Sequence, residues 1–214
     1  YGSVARLTAH LMDQLTPAAQ PGAGAGGQDV AAQMMSDIGL VDSLPQPDEW
    51  TELAALPPPK AILLTGGTGF IGLYLLDRLL RHTTADLYCL VRAASAQEAL
   101  ARLRSGLSAA GLWQDQYTQR LSALCGDLAL PSFGLSDERF RELGERIDLI
   151  IHNGAKVNWV QSYFDLRPAN VLGTLEVLRL SQVGRCKPIH YVSTSAVTWQ
   201  LYTPYFSQAD GSGA

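Results

Sequence analysis

Lysine is scarce in this chain: three in 214 residues, at positions 60, 156 and 187, with no run of basic residues anywhere. A nucleic-acid partner needs a clustered cationic face. A formal net charge of −4 argues against such a partner. Cysteine is equally sparse. Cys89, Cys125 and Cys186 stand apart with no paired spacing, so no disulfide framework is expected, and buried free thiols fit a reducing, cytoplasmic setting. His, Cys, Asp and Glu nowhere gather at ligand spacing, so no metal is expected. No apolar run approaches the roughly 20 residues that span a bilayer, so no membrane partner is expected. The opening Tyr1-Gly2-Ser3 does not read as a signal peptide. An initiator Met is missing too, which points to a piece of a longer protein. Charged residues make up only 17% and apolar residues 47%, the balance of a buried parallel sheet and not of a disordered chain. The length suits one good core with appendages.

What is abundant is glycine, and its placement is informative. Residues 61–72 read AILLTGGTGFIG. A short apolar run ends in a glycine cluster, as a buried parallel strand does when it meets a turn. Gly66, Gly69 and Gly72 follow at three-residue intervals, and an apolar helical pattern of Leu73, Leu75, Leu76, Leu79 and Leu80 begins there. Of three such glycines, one permits the tight reversal, one lets backbone approach a pyrophosphate, and one lets helix pack on strand. The free N–H groups and positive end of that helix would hold the phosphates. The spacing GxxGxxG is by itself also compatible with a plain tight loop. Its context, after a strand, opening a helix and followed by a second strand at Leu87–Val91, favours a nucleotide-binding βαβ unit.

Three segments are expected. Residues 1–27 comprise an amphipathic helix (Val4, Leu7, Leu11, Met12, Leu15) stopped by Pro17, then a flexible linker, PAAQPGAGAGG, over 17–27. The stretch YGSVARLTAHLMDQL resembles the last helix of an acyl or peptidyl carrier protein; an expression remnant or an ordinary docking helix is an equal reading. Residues 28–56 form a helical lead-in, with Val30, Met34 and Ile38 on one face, Gly39 ending it, and a small helix near Asp48-Glu49-Trp50. Residues 57–214 then alternate strand and helix. Strands are expected at Ala61–Leu64, Asp86–Val91, Leu121–Cys125, Ile147–Ile151 and Ile189–Val192. Helices are expected over 69–81, 95–107, 112–121, 135–143 (capped by Ser136) and 167–181. The fold class is α/β, a doubly wound parallel sheet with helices on both faces. There is no internal repeat.

Strand ends carry the chemistry. Twenty residues after Gly72, where a NAD site would place an acidic residue for the ribose hydroxyls, stands Arg92. A guanidinium suits the 2′-phosphate of NADPH, and Arg102 from the next helix can add to it; the bland alternative is a surface arginine closing a strand. Gly126-Asp127-Leu128 puts a carboxylate where an adenine amino group would come, though Asp after Gly is also ordinary turn chemistry. Small residues after the fourth strand, Asn153-Gly154-Ala155, leave room for a flat ribose or nicotinamide. His152 reads as structural before it reads as a base. The fifth strand runs into Ser193-Thr194-Ser195, whose hydroxyls sit on the crevice side.

TGGTGFIG, CLVRA, Arg102-Leu103, CGDL, HNGAKVNW, NVLGT (170–174) and HYVSTSAV occur in order at suitable separations. The set closely resembles the terminal thioester reductase domains of nonribosomal peptide and polyketide synthetases, over about residues 28–200. Carboxylic acid reductases carry a similar domain. These are extended short-chain dehydrogenase/reductases with a Rossmann-type sheet. The resemblance implies NADPH-dependent reduction of a carrier-bound phosphopantetheine thioester to an aldehyde, in some members on to the alcohol. It implies that Gly66, Thr68, Gly69, Phe70 and Ile71 hold the pyrophosphate and that Arg92 and Arg102 hold the 2′-phosphate. Asp127 and Leu128 would frame adenine, Asn153, Gly154 and Ala155 would line the ribose side, and Thr194 would be the catalytic hydroxyl. One departure stands out. The family's Tyr-x-x-x-Lys pair is missing: Tyr88 and Tyr163 have Arg92 and Arg167 four residues on. The expectation is a cofactor-binding part, without the C-terminal substrate subdomain, that binds NADPH but does not turn over efficiently. A related enzyme acting on a free substrate, such as an epimerase, and a non-catalytic NADP-sensing or docking module are the alternatives.

Overall fold

The computed structural model describes residues 23–45 and 56–194. The chain divides into two compact units, residues 1–43 and 44–214. In the first, helix α1 (Ala23–Ile38) runs into a 3₁₀ turn at Gly39–Ser43. The linker expected over 17–27 is therefore corrected: its last five residues are helical. Each residue added to a helix that is already nucleated brings one more hydrogen bond, which offsets the poor propensity of Gly24, Gly26 and Gly27. The helices expected at 3–15 and near Asp48 lie outside the described residues.

The second unit is built on five parallel strands: β1 (Ala61–Thr65), β2 (Asp86–Val91), β3 (Leu121–Cys125), β4 (Leu149–His152) and β5 (Ile189–Tyr191), in the order β3-β2-β1-β4-β5. All five residues of β1 are buried, because it has neighbours on both edges and helices on both faces. Alternation along β1 sends Ile62 and Leu64 to one face and Ala61 and Leu63 to the other. The first face packs on α2 (Phe70–His82) and α3 (Ala96–Ala109) through Leu76, Leu80, Leu103 and Leu107. The second packs on α4 (Asp137–Arg146) and α6 (Gly173–Ser181) through Phe140, Leu143, Val177 and Leu180. Ser95 and Ser136 cap α3 and α4 as their positions suggest, accepting from the N–H groups of Glu98 and Arg139. Two basic side chains close helix ends. Arg120 donates to the carbonyls of Leu80, Thr83 and Ala85, and buried Lys187 donates to those of Leu180, Ser181, Val183 and Arg185.

Two further expectations change. The helix anticipated over 112–121 is a 3₁₀ turn at Asp115–Gln119. The single helix anticipated over 167–181 is three pieces: α5 (Tyr163–Arg167), a π-helical turn at Pro168–Leu172, and α6. Pro168 has no N–H to give the ladder, and the Gly173 N–H bonds to the Pro168 carbonyl five residues back.

Candidate functional site

Strand order reverses between β1 and β4, both of which leave the sheet at the same end, so a crevice opens there. It is a cleft of about 710 Å³. Its lining contains Gly66, Thr68, Gly69, Phe70, Ile71, Arg92, Arg102, Asp127, Leu128, Asn153, Gly154 and Ala155, the twelve positions singled out in the sequence for a cofactor. Thr194, three residues past β5, is exposed and is not part of that lining.

The glycines divide the labour physically. Gly66 has φ +70°, and a Cβ on it would stand 2.8 Å from the Asn153 carbonyl, so it makes the reversal. Gly72 lies over the turn so closely that a Cβ would come within 2.0 Å of the Gly66 oxygen, so it allows the helix to pack. Gly69 is different: its Cβ would meet only the Gly66 oxygen, at 3.4 Å, and otherwise enter open space. It keeps the cleft floor bare. The Gly69 N–H closes the turn on the Gly66 carbonyl at 3.1 Å, while the N–H groups of Phe70 and Ile71 have no acceptor among the described residues. Those unclaimed donors lie at the positive end of a thirteen-residue helix, where an anion is electrostatically favoured.

At the β2 end the cleft is cationic. Arg92 and Arg102 are both exposed to it, and the Arg102 guanidinium donates to the Arg92 carbonyl, which fixes the two side by side. Among the described residues neither forms a salt bridge. The nearby acid, Glu98, is occupied with the Ala94 N–H at 2.9 Å and lies outside the lining. At the end of the neighbouring strand β3, Asp127 uses Oδ1 to accept from the Ala129 N–H at 2.9 Å. Asn153 donates from its amide to the Gly66 carbonyl at 3.3 Å, so it buttresses the glycine turn as well as lining the cleft.

Several lining residues were not singled out in the sequence, chiefly Lys156, Asp165, Pro168 and Ala169. The π-helical turn brings them in. Asn170 clamps Lys156 from both sides, accepting its N–H at 2.7 Å and donating to its carbonyl at 2.9 Å. Lys156 in turn donates from Nζ to the Asp165 carbonyl at 3.2 Å. The signal available in the sequence was Pro168 inside a helical pattern.

His152 is structural. The Thr174 hydroxyl donates to the Asn170 carbonyl at 2.7 Å, so it accepts from His152 Nε2–H at 3.1 Å. Nδ1 is then the acceptor for the Thr65 hydroxyl at 2.7 Å, and Thr65 accepts from the Gly154 N–H at 2.9 Å. This direction of bonds requires the neutral ring, and burial lowers the His152 pKa from 6.5 to about 4. The unfolded chain takes up a proton near pH 6.5 that the native site refuses until about pH 4. Stability present above pH 6.5 is therefore lost as pH falls towards 4, by about 3 kcal/mol from this group. Urea unfolding at pH 7, 5.5 and 4.5 checks it: His152→Gln should flatten the slope, and an unchanged slope would assign the acid sensitivity elsewhere. Cys89, fully buried, is pushed up to about 12; Cys186 is exposed and is the thiol expected to react first with an alkylating reagent. Among the described residues no group of His, Cys, Asp and Glu is arranged to hold a metal, and no helix is long and apolar enough to cross a membrane.

Comparison with known proteins places this geometry. The model of the NAD-binding family described as male sterility protein matches residues 64–211. A subunit of the linear gramicidin synthase of Brevibacillus parabrevis is 50% identical over 135 residues, 63% of this chain and 3% of that protein. The L-2-aminoadipate reductase large subunit of Penicillium chrysogenum is 42% identical over 168 residues, covering 77% of this chain and 12% of its own length. Among solved structures, the terminal R domain from the myxalamid PKS-NRPS biosynthetic pathway aligns with a TM-score of 0.65 at 43% identity, over 76% of this chain and 43% of that one. The reductase domain of a nonribosomal peptide synthetase from Mycobacterium tuberculosis aligns at 0.58 and 36% identity, over 67% of this chain and 36% of that one. The chain thus spans a small part of the synthetases and reductases it matches, and less than half of each of these solved domains.

Proposed function

The chain belongs to the NAD-binding family described as male sterility protein, and from that premise we propose that its cleft binds NADPH for the reductive release, as an aldehyde, of an acyl or peptidyl thioester held on a carrier protein. The observation that carries the cofactor choice is the pair Arg92 and Arg102, in the cleft at the end of β2, with neither guanidinium in a salt bridge among the described residues. Bare backbone at Gly69 and the open N–H groups of Phe70 and Ile71 suit the diphosphate. Asp127 and Leu128 would frame the adenine, and Asn153, Gly154 and Ala155 the ribose side. The bound dinucleotide supplies the hydride. On the protein's side, the Thr194 hydroxyl would donate a hydrogen bond to the thioester oxygen as negative charge develops there. No tyrosine of this chain has a lysine four residues on to act as the proton donor pair, so the expected behaviour of the chain alone is cofactor binding without efficient turnover.

Parallel titrations with NADPH and NADH test this reading. NADPH should bind the tighter, and Arg92→Ala should weaken it by about 1.5–3 kcal/mol, the scale of hydrogen bonds to a charged group. NADH should barely respond. Equal losses for both dinucleotides, or tighter NADH binding by the unaltered chain, would overturn the NADPH assignment.

A further inference from the structure

Behind the wall that carries Asp127 lies a turn with an unusual backbone. At Pro131–Gly134 three successive residues are left-handed: Ser132 (φ 50°, ψ 27°), Phe133 (φ 58°, ψ 19°) and Gly134 (φ 75°). Only the last is glycine, and side-chain-bearing residues adopt this region against steric resistance. Phe133 is fully buried and packs against Phe140 with ring centroids 5.6 Å apart and planes tilted by 47°, so the turn is part of the core.

The turn's product is the position of Asp127. The Phe133 carbonyl accepts the Asp127 N–H at 2.9 Å, and the Phe133 N–H returns to Leu130, whose own N–H returns to the Asp127 carbonyl at 3.1 Å. Gly126 presses on the same carbonyl, since a Cβ there would stand 2.7 Å from the Phe133 oxygen. The loop is a closed set of bonds whose cleft-facing member is Asp127. What holds it from behind is Glu176 on α6. Its Oε2 accepts the Ser132 N–H at 3.0 Å, and Arg179 Nη1 lies 2.8 Å from both carboxylate oxygens. Glu176 is only 9% exposed and does not line the cleft. One helical turn earlier, a Cβ at Gly173 would stand 2.6 Å from the Leu128 oxygen, so α6 is pressed against the loop along its length.

We propose that Glu176 is a positioning residue for the adenine end of the cleft: its buried carboxylate pins the Ser132 N–H, and the left-handed turn so held sets Asp127. The inference rests on the dinucleotide reading of the cleft. It is a remote control of one half of the ligand, which separates it from a general stabilising role.

Calorimetric titration of the full chain with the two halves of the cofactor, 2′,5′-ADP and nicotinamide mononucleotide, tests it. Glu176→Ala should weaken 2′,5′-ADP about tenfold, the loss of one hydrogen bond's worth of ordering, and leave the mononucleotide within about twofold. Glu176→Gln still offers an oxygen to Ser132 and should stay within about threefold of the unaltered chain for both. Adding Ser132→Gly to Glu176→Ala should recover part of the lost 2′,5′-ADP binding, because glycine enters the left-handed region without steric cost. Should Glu176→Ala fail to fold, Glu176→Asp, which withdraws the carboxylate by one methylene, takes its place. Equal weakening of both halves, or unchanged 2′,5′-ADP binding in a folded variant, overturns the inference. An unaltered chain that binds neither half would instead sink the cofactor reading, and this inference with it.

Discussion

Gly72→Ala is expected to cost at least about 3 kcal/mol of folding stability, at the upper end of overpacking penalties. The added methyl carbon would stand 2.0 Å from the Gly66 oxygen and 2.9 Å from the Gly67 Cα. Neither neighbour can yield cheaply. Gly66 is already left-handed at φ +70° and hard against Asn153, and Gly67 is packed against Cys89 and Leu103. Relief requires α2 to lift from the turn, which would uncover Leu76 and Leu80. For a chain of this size the loss corresponds to a fall in Tm of roughly 10 °C, and against a total stability of about 5–15 kcal/mol it is a large share. Thermal unfolding followed by circular dichroism reads it directly. A variant that melts with the unaltered chain would show that the turn is looser than its contacts indicate.

Gly69→Ala should do the opposite, leaving the fold and removing the ligand. Its backbone is extended (φ −79°, ψ 167°), a conformation alanine adopts freely, and the new methyl would touch the protein only at the Gly66 oxygen, 3.4 Å away. The rest of its surroundings is the cleft. A methyl group there would hold the diphosphate off the N–H groups of Phe70 and Ile71, at a cost of about 3 kcal/mol if two charge-assisted hydrogen bonds are weakened, on the order of 100-fold in Kd. Melting temperature without ligand should fall by only about 2–4 °C, since Gly69 is the helix N-cap and alanine caps less well by roughly 1 kcal/mol. NADPH titration beside the melting curve separates the two glycines: one variant loses the fold, the other loses only the cofactor. If Gly69→Ala binds as well as the unaltered chain, the phosphate cradle is not where this geometry puts it.

The cleft was largely legible in the sequence because its parts are local. A strand, a glycine turn and a helix that follow one another within residues 61–82 must form together, and the alternation of apolar runs with helical periods leaves a parallel sheet as the way to bury them. Once the sheet is parallel, every strand ends on the same side, so Arg92, Asp127 and Asn153 converge although they are far apart along the chain. The capping serine at 136 was legible for the same reason, since a cap acts over three residues. The helix expected over 167–181 is instead interrupted at Pro168, which widens the turn, and that widening carries Asn170 to Lys156.

What the amino-acid order determined alone is the βα rhythm, the three glycine roles and the residue types at the strand ends. What only the tertiary structure decided is how those ends are held. The neutral His152 relay joins Thr65 to Thr174 across 87 and 22 residues, and Glu176 reaches Ser132 across 44. No period or spacing encodes such pairs. A buried imidazole or carboxylate takes its partner from whichever backbone the packing of sheet and helix brings within 3 Å, and it must take one, because an unpaired polar group in that interior costs more than the bond it forms.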